Sequence, residues 1–356
     1  MRILVINPGS TSTKISVFDE REDIFTTNIK HSTEEINSYK RVIDQFELRE
    51  KIILSELKQA GIELSSIDVV VGRGGLVKPI PGGVYRVNDA LLRDLRDERT
   101  RSHASNLGGV LAYAIARAIK PGTDAFIIDP VVVDELEPVA RFSGMPEIPR
   151  ISIFHALNHK AVARRYAREC GVKYEDLNLI VVHLGGGVTV GAHKNGRVID
   201  VNNGLDGEGP YSPERSGGLP VADLVSLCFS GKFTHEEMKR KITGQGGLVA
   251  YLGTNSAYDV SRKVKDGDEG ATLVYQGMAY QVAKDIGAMS AVLEGRVDAI
   301  ILTGGVAYDE MLCGWIEQKV GFIAQVVVYP GEDEMKAMEE GAYSAVKGEM
   351  DIKEYK

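Results

Sequence analysis

The chain has 356 residues, 44 % hydrophobic and 26 % charged, so it can bury a core and is not a disordered polymer. Its 50 acidic against 42 basic residues leave a net charge of −8, which argues against a nucleic-acid partner, because neutralising phosphates needs a basic face. Three scattered cysteines (Cys170, Cys228, Cys313) without metal or disulfide spacing, no signal-peptide core and no apolar run of about 18 residues predict a cytoplasmic protein.

Residues 2–6 predict an apolar strand that enters a Gly/Ser/Thr loop at 8–13, and a second strand leaves it with Ile15 and Val17 alternating. Helical periodicity covers 33–60 and stops at Gly61. A short buried strand at 69–71 runs into Arg73-Gly74-Gly75. Residues 88–119 predict two helices, and 125–128 a strand that ends on Asp129-Pro130. The pattern then restarts over 178–202 as strand, glycine loop, strand, Asn195-Gly196 turn and strand. Laying Asn7 over His183 brings Gly9 over Gly185, which reads as a duplicated domain and not as a solenoid. A helix over 267–294, a strand over 298–302 ending on Thr303-Gly304-Gly305, a strand over 326–329 and a helix over 333–348 follow. Strands then helices, twice, predict an α/β fold of two lobes with a cleft between them.

Four glycine-rich turns follow apolar strands, at 8–13, 72–75, 185–189 and 304–305. Such turns are commonly no more than turns, but their N–H groups can converge on oxyanions, and two of these occupy duplicated positions. Neither a P-loop nor a dinucleotide-binding glycine motif is present. Asp129 reads either as a turn residue or as a Mg²⁺ ligand. Arg73 and Arg215 read either as surface arginines or as a clamp on an anion. His103, His155, His159 and His183 lie near the turns. His155 and His159 are spaced i, i+4, but without an intervening Glu they suit phosphate neutralisation better than zinc.

The segments Asn7-Pro8-Gly9-Ser10-Thr11-Ser12-Thr13-Lys14, Gly72-Arg73-Gly74, Phe154-His155 with His159, His183-Leu184-Gly185-Gly186-Gly187, Arg215-Ser216-Gly217 and Thr303-Gly304-Gly305 span the chain. In kind and order the sequence resembles the acetate and butyrate kinase family. His103-Ala104-Ser105-Asn106-Leu107 stands where acetate kinases have His-Asn-Pro-Pro-Asn, and Phe154-His155-Ala156-Leu157-Asn158-His159 where they have Phe-His-Gly-Thr-Ser-His. Both are similar to the butyrate kinase branch, and Leu107 and Leu157 are expected to set apolar surface near the acceptor.

The resemblance implies two duplicated ribonuclease H-like domains of the actin-like ATPase type with an interdomain cleft. The first would span 1–153 plus 332–356 and the second, nucleotide-binding, 154–331. It implies reversible, ATP-dependent phosphorylation of a short-chain carboxylic acid, with Mg²⁺, in a homo-oligomer. An acetate or propionate kinase, or a sugar or other hydroxyl kinase of the same fold, is the alternative. A carboxylate nucleophile needs no general base, only in-line placement and positive charge around the phosphoryl oxygens, which suits a site of Arg, His and backbone N–H groups.

Carried over by motif, Asn7, Ser10, Thr11, Ser12 and Lys14 would approach phosphates, with Asn7 also at the metal. Arg73 and His103 would hold the carboxylate, and Asp129 would act through Mg²⁺. His155 and Arg215 would stabilise the migrating phosphoryl group. His183, Gly185, Gly186, Gly187 and Thr189 would hold nucleotide phosphates, and Gly304 and Gly305 would lie against the adenosine. A metal-linked Glu that the family's pattern implies after Thr-Gly-Gly is Tyr308 here. Asp309, Glu310 or Glu332 is expected to replace it, with Glu332 taken as the third metal residue.

Overall fold

The run Ile3-Leu4-Val5-Ile6 is wholly buried, as expected of a strand covered on both faces. The computed structural model of the protein describes residues 1–97 and 103–356. Its strands are β1 (Arg2–Pro8), β2 (Ser12–Asp19), β3 (Glu22–Lys30), β4 (Val69–Arg73), β5 (Val84–Arg86), β6 (Asp124–Ile128), β7 (Asn178–Leu184), β8 (Val188–Lys194), β9 (Arg197–Val201), β10 (Ala299–Gly304), β11 (Val326–Pro330) and β12 (Ile352–Glu354). They form two sheets, of order β12-β5-β6-β4-β1-β2-β3 and β11-β10-β7-β8-β9.

The duplication is written in these orders, since β6-β4-β1-β2-β3 recurs as β11-β10-β7-β8-β9. In each, the first strand pairs antiparallel with the next and parallel with a later one. Pro8 pairs with Thr13, and Leu184 with Val188, so Asn7 and His183 hold the same place one residue further from their loops. The overlay read from the sequence is therefore the structural register.

Chain contacts divide the molecule into Met1–Val133 with Asp333–Lys356, and Asp134–Glu332. The first unit thus stops short of the expected residue 153. Residues just past 133 belong to the second unit because Glu135 accepts from Val198 N and pairs with Lys160, Glu137 N donates to Ile199 O, and Arg150 pairs with Asp200. Glu332, expected with the first domain, also falls in the second unit.

In the first unit the helix Asn106–Ile119 lies against β4 with no side chain between the backbones. A Cβ on Gly72 would sit 2.0 Å from Gly108 O, which requires glycine there. Leu107, Leu111 and Ile115 of that helix join Leu4, Ile6 and Val70 in one core. In the second unit the helix Glu269–Val292 buries Tyr275, Met278, Val282, Ile286 and Met289 over its sheet, the spacing of a single helical stripe. The predicted helix over 33–60 resolves into Thr33–Asn37, a 3₁₀ turn and Phe46–Gln59. Among the described residues no helix is long and apolar enough to cross a membrane.

Candidate active site

Parallel strands deliver their C-terminal ends to one edge of a sheet. The pairs Ile6–Gly72 and Arg73–Ile128 therefore bring Asn7, Arg73 and Asp129 to the same edge of the first unit. Asn7 Nδ2 donates to Glu334 Oε2 at 2.6 Å, and its Oδ1 accepts from Arg73 Nη1 at 3.3 Å. Arg73 forks onto the same carboxylate, Nη1 to Oε2 at 3.1 Å and Nη2 to Oε1 at 2.8 Å. Glu334 opens the helix Glu334–Val346, where the helix dipole favours a carboxylate. Sequence reading missed it and chose Glu332. The available signal was the cap: the side chain of Asp333 accepts from Lys336 N, which puts Glu334 in the first turn.

Asp129 is 1 % exposed and sits in the left-handed region at φ 37°. Its Oδ1 accepts from Gly83 N at 2.6 Å, and its own N–H donates to Gly83 O at 3.1 Å. A non-glycine residue there costs on the order of 1–3 kcal/mol, and strain of this kind gathers at functional sites. The turn reading of Asp129 is met by the Gly83 contacts, and the residue also sits on the edge that carries Asn7 and Arg73. His103 Nδ1 accepts from Ser105 N at 3.2 Å, which leaves the ring hydrogen on Nε2. Crowding by the protein, then the Arg73 cation, holds its pKa below the ordinary histidine value. Leu107 is fully buried in the core and Leu157 is 8 % exposed. The expectation that Leu107 offers apolar surface to a ligand is therefore corrected, because its helix buries every residue from Asn106 to Ala112.

The loop between β1 and β2 presents Ser10 and Thr11 to solvent, with Gly9 N donating to Ser12 O at 2.8 Å. Lys14, across from Asn7 in the β1–β2 register, is exposed. Beneath the loop lies Arg49, a fully buried residue that nothing in the sequence pattern singles out. Its guanidinium donates to Gly9 O, Ser10 O, Ser12 O, Thr13 Oγ1 and Gln45 Oε1, all neutral acceptors. Burial pulls it down to about 10, so it remains a cation at neutral pH.

The second unit builds its edge from histidines. His183, near the end of β7, is 1 % exposed. Its Nδ1 donates to Asn158 Oδ1 at 2.7 Å, and its Nε2 lies 3.0 Å from Glu332 Oε1. The Glu332 carboxylate is thus engaged by a histidine of its own unit, whereas Glu334 stands beside Asn7 in the first. His155 stacks flat on His183, with centroids 3.7 Å apart and planes 8° apart. Its Nδ1 lies 3.0 Å from Thr189 Oγ1, which His159 Nε2 meets from the other side at 2.9 Å. His159 is fully buried and takes no outward role.

Gly185–Gly187 turns between β7 and β8, held by Gly185 N to Gly187 O at 3.0 Å and by Ser212 Oγ donating to Gly186 O at 2.6 Å. Arg215 is pressed against this loop, and a Cβ on Gly187 would come within 1.6 Å of its Nη1. That nitrogen donates to Gly204 O, while the buried Nε has no hydrogen-bond partner among the described residues. A buried guanidinium donor without an acceptor is costly unless an anion meets it. Beyond Gly304 a cavity of about 730 Å³ is lined by Gly305, Tyr308, Asp309, Ser261, Arg262 and Lys265, a volume that suits a nucleoside. Asp309 is not free to take over from the missing Glu. Its Oδ2 accepts from Tyr275 OH at 2.9 Å, and its Oδ1 caps the next helix at Met311 N.

The profile described as the acetokinase family matches residues 148–317. Over 355 residues the chain is 57 % identical to butyrate kinase 2 and 58 % identical to butyrate kinase 1 of Clostridium acetobutylicum, with 100 % of this chain and 99 % of each relative covered. In structure it is similar to the acetate kinase of Porphyromonas gingivalis at a TM-score of 0.79 and 18 % identity, covering 96 % of this chain and 99 % of that one. It is also similar to a propionate kinase from Francisella tularensis at a TM-score of 0.75 and 17 % identity, covering 95 % and 98 %. Likeness at such low identity carries the fold, that of the actin-like ATPases.

Proposed function

The chain belongs to the acetokinase family and is an ATP-dependent kinase of short-chain carboxylates, and from that premise we propose that its acceptor is butyrate or a branched acid of similar size. The observation that carries the site assignment is Arg215, a half-buried arginine packed against Gly187 whose buried Nε–H lacks an acceptor among the described residues. An oxyanion at the 185–187 loop supplies one. His155, Arg215 and the loop N–H groups then surround the equatorial oxygens of the phosphoryl group in transfer, with His183 and Thr189 behind them. Gly304 and Gly305 border the cavity assigned to the adenosine.

In the first unit we assign the acceptor carboxylate to Arg73 and His103. Arg73 is held rigid by Glu334 and keeps an unpartnered Nε–H among the described residues; His103 offers Nε2–H. Ser10, Thr11, Ser12 and Lys14 approach phosphate oxygens. Hard oxygen donors at one sheet edge fit Mg²⁺, which takes one or two carboxylates and otherwise phosphate and water. Asp129 and Asn7 would hold it, with Glu334 as the nearby carboxylate in place of the expected Glu332. When bound, Mg²⁺ neutralises charge on the phosphate oxygens. The acceptor is already ionised at neutral pH, so no residue need remove a proton.

We further infer a cytoplasmic homo-oligomer. The free thiols Cys170, Cys228 and Cys313 suit a reducing compartment, and the exposed row Val221, Val225 and Phe229 suits a partner surface. The acceptor is tested by trapping acyl phosphate as the hydroxamate across acetate, propionate, butyrate, isobutyrate and valerate. Two buried methylenes are worth about 1.6 kcal/mol, so butyrate should exceed acetate by about 15-fold in kcat/KM. If acetate is the best acceptor, the butyrate reading is overturned.

A further inference from the structure

Behind His155 runs a file of hydrogen-bonding side chains that the proposed mechanism leaves unused. Tyr174 OH lies 2.7 Å from His193 Nδ1, and His193 Nε2 lies 3.3 Å from His159 Nδ1. His159 Nε2 lies 2.9 Å from Thr189 Oγ1, which lies 3.0 Å from His155 Nδ1. The members arrive from distant places in the sequence: a 3₁₀ turn at Tyr174–Asp176, both ends of β8, and the helix Ala156–Cys170. Tyr174 is 6 % exposed, and His193, His159 and Thr189 are fully buried.

Burial holds both His159 and His193 well below the ordinary histidine value. The His183 ring and the Lys160 cation add to this at His159, and His159 and Lys160 add to it at His193. Lys160 is itself paired with Glu135 and lies over the Tyr174 ring. Both histidines are therefore neutral, and each has one N–H and one lone pair. Thr189 has a single hydrogen to give.

Thr189 Oγ1 could accept from both rings, but among the described residues its buried hydrogen has no acceptor other than His155 Nδ1 and His159 Nε2, so the file runs in one of two directions. In one, Tyr174 donates to His193 Nδ1, His193 Nε2–H to His159 Nδ1, His159 Nε2–H to Thr189 Oγ1, and Thr189 O–H to His155 Nδ1. In the other, His155 donates from Nδ1 and the phenol must accept from His193. A phenol is a strong donor and an imidazole nitrogen a strong acceptor, so the first direction is favoured.

We propose that Tyr174, His193, His159 and Thr189 are positioning residues that fix His155 in the tautomer bearing its hydrogen on Nε2 and hold the ring flat on His183. The His155 hydrogen then lies on the nitrogen that Thr189 does not face. This deepens the reading of His155 as a partner of the phosphoryl group and rests on it for its consequence in turnover. The tautomer itself does not depend on that reading.

The test uses the full chain labelled with ¹⁵N-histidine, with the His155 signals assigned by their loss in His155→Gln. In the wild type His155 should show an unprotonated Nδ1 and a protonated Nε2. Tyr174→Phe removes the one hydroxyl that meets His193 Nδ1 and keeps the ring. Thr189→Val cuts the file next to His155, and Thr189→Ser restores the hydroxyl. Both cuts should move the two His155 shifts toward their average, and Thr189→Ser should return them. In Tyr174→Phe, kcat should fall roughly tenfold while KM for ATP and for the acid stays within about twofold, the mark of an interaction used in the transition state. A wild-type His155 protonated on Nδ1, or His155 shifts unmoved in folded Tyr174→Phe and Thr189→Val, would overturn the proposal. Full kcat in His155→Gln would instead remove His155 from the reaction, leaving the tautomer result to stand or fall by itself.

Discussion

Arg49→Met separates two things that a buried arginine can do, hold a loop in shape and charge it. The substitution keeps the length and the apolar stem and removes six hydrogen bonds to five acceptors. Gly9 and Ser10 lie where water can replace the guanidinium, and Thr13 Oγ1 keeps His31 Nε2 at 2.8 Å. Gln45 Oε1 loses most, at about 1–3 kcal/mol for a group left unpaired, whereas Ser12 O keeps the N–H of Gly9 at 2.8 Å. Against this, the protein no longer desolvates a cation, a cost visible in the fall of Arg49 from 12.5 to about 10 and worth about 3 kcal/mol. The two nearly cancel, so the stability change should stay within about 2 kcal/mol of zero.

Anion affinity at that loop has no such offset. A unit charge acting across a loop one residue thick, about 6–8 Å at an effective dielectric of about 20, is worth about 2–3 kcal/mol, or roughly 30- to 150-fold. Calorimetric titration of the full chain with ATP, beside a urea unfolding curve, reads both. Arg49→Met should weaken ATP by more than tenfold, and Arg49→Lys should recover most of that loss because it keeps the charge. An unchanged Kd for ATP with a large loss of stability would show that Arg49 is only a clamp.

Asp129→Asn should remove most turnover, measured as kcat at saturating Mg²⁺, with ATP binding retained, because Asn still accepts from Gly83 N but cannot bring the charge. Near-normal kcat would sink the assignment. Gly187→Ala should displace Arg215, whose Nη1 the new Cβ would meet at 1.6 Å, while the melting temperature stays within a few degrees. Its loss of kcat should therefore match that of Arg215→Ala, and the double variant should be no worse than either, so additive losses would refute the link. Asp285 is pushed from 3.8 up to about 6 by burial, so its ionisation opposes folding. The penalty is complete above about pH 6 and vanishes below about pH 4. Asp285→Asn should thus stabilise by about 1–2 kcal/mol at pH 7.5, discounted for partial exposure, and by nothing at pH 4; equal effects at both would be against it.

What the sequence disclosed was what short-range pattern encodes. A strand, a glycine loop and a strand around Asn7 and again around His183 fix a register, because one slipped residue would turn every apolar side chain to the wrong face. What stayed hidden depends on phase and depth. Glu332 and Glu334 look alike in sequence, but Asp333 caps the helix between them, so Glu334 meets Asn7 and Arg73 while Glu332 meets His183. Arg49 sits among charged neighbours in the helix Phe46–Gln59 and reads as a solvated residue; only the loop folded above it makes it a core group. Leu107 misled in the opposite sense, since a leucine inside a motif reads as pocket lining until the first two turns of its helix, Asn106 to Ala112, prove buried on every side. His193 lies two residues before the Asn195-Gly196 turn, where side chains are commonly exposed, and only Tyr174 and His159 draw it inward.

The two copies of the strand–loop–strand unit keep one backbone and use it for opposite electrostatics. After β1 the loop is backed by a buried cation, Arg49, whose partners are all neutral, so its field reaches whatever the loop holds. On the β7 side the groups packed behind Thr189 of β8 are His159 and His193, kept neutral by burial, and the cation Arg215 packs against the loop itself. A cation beneath a loop strengthens anion binding in every state of the reaction. A cation on the loop can lean toward one state, and a neutral histidine file can present a single oriented N–H. On the proposed assignment, ground-state grip goes with the first loop and transition-state selectivity with the second. On this argument substitutions at Arg49 should appear mainly in Kd and KM, and those at Arg215, Thr189 and Tyr174 mainly in kcat. The reverse pattern would mean that the duplicated loops have been given each other's roles.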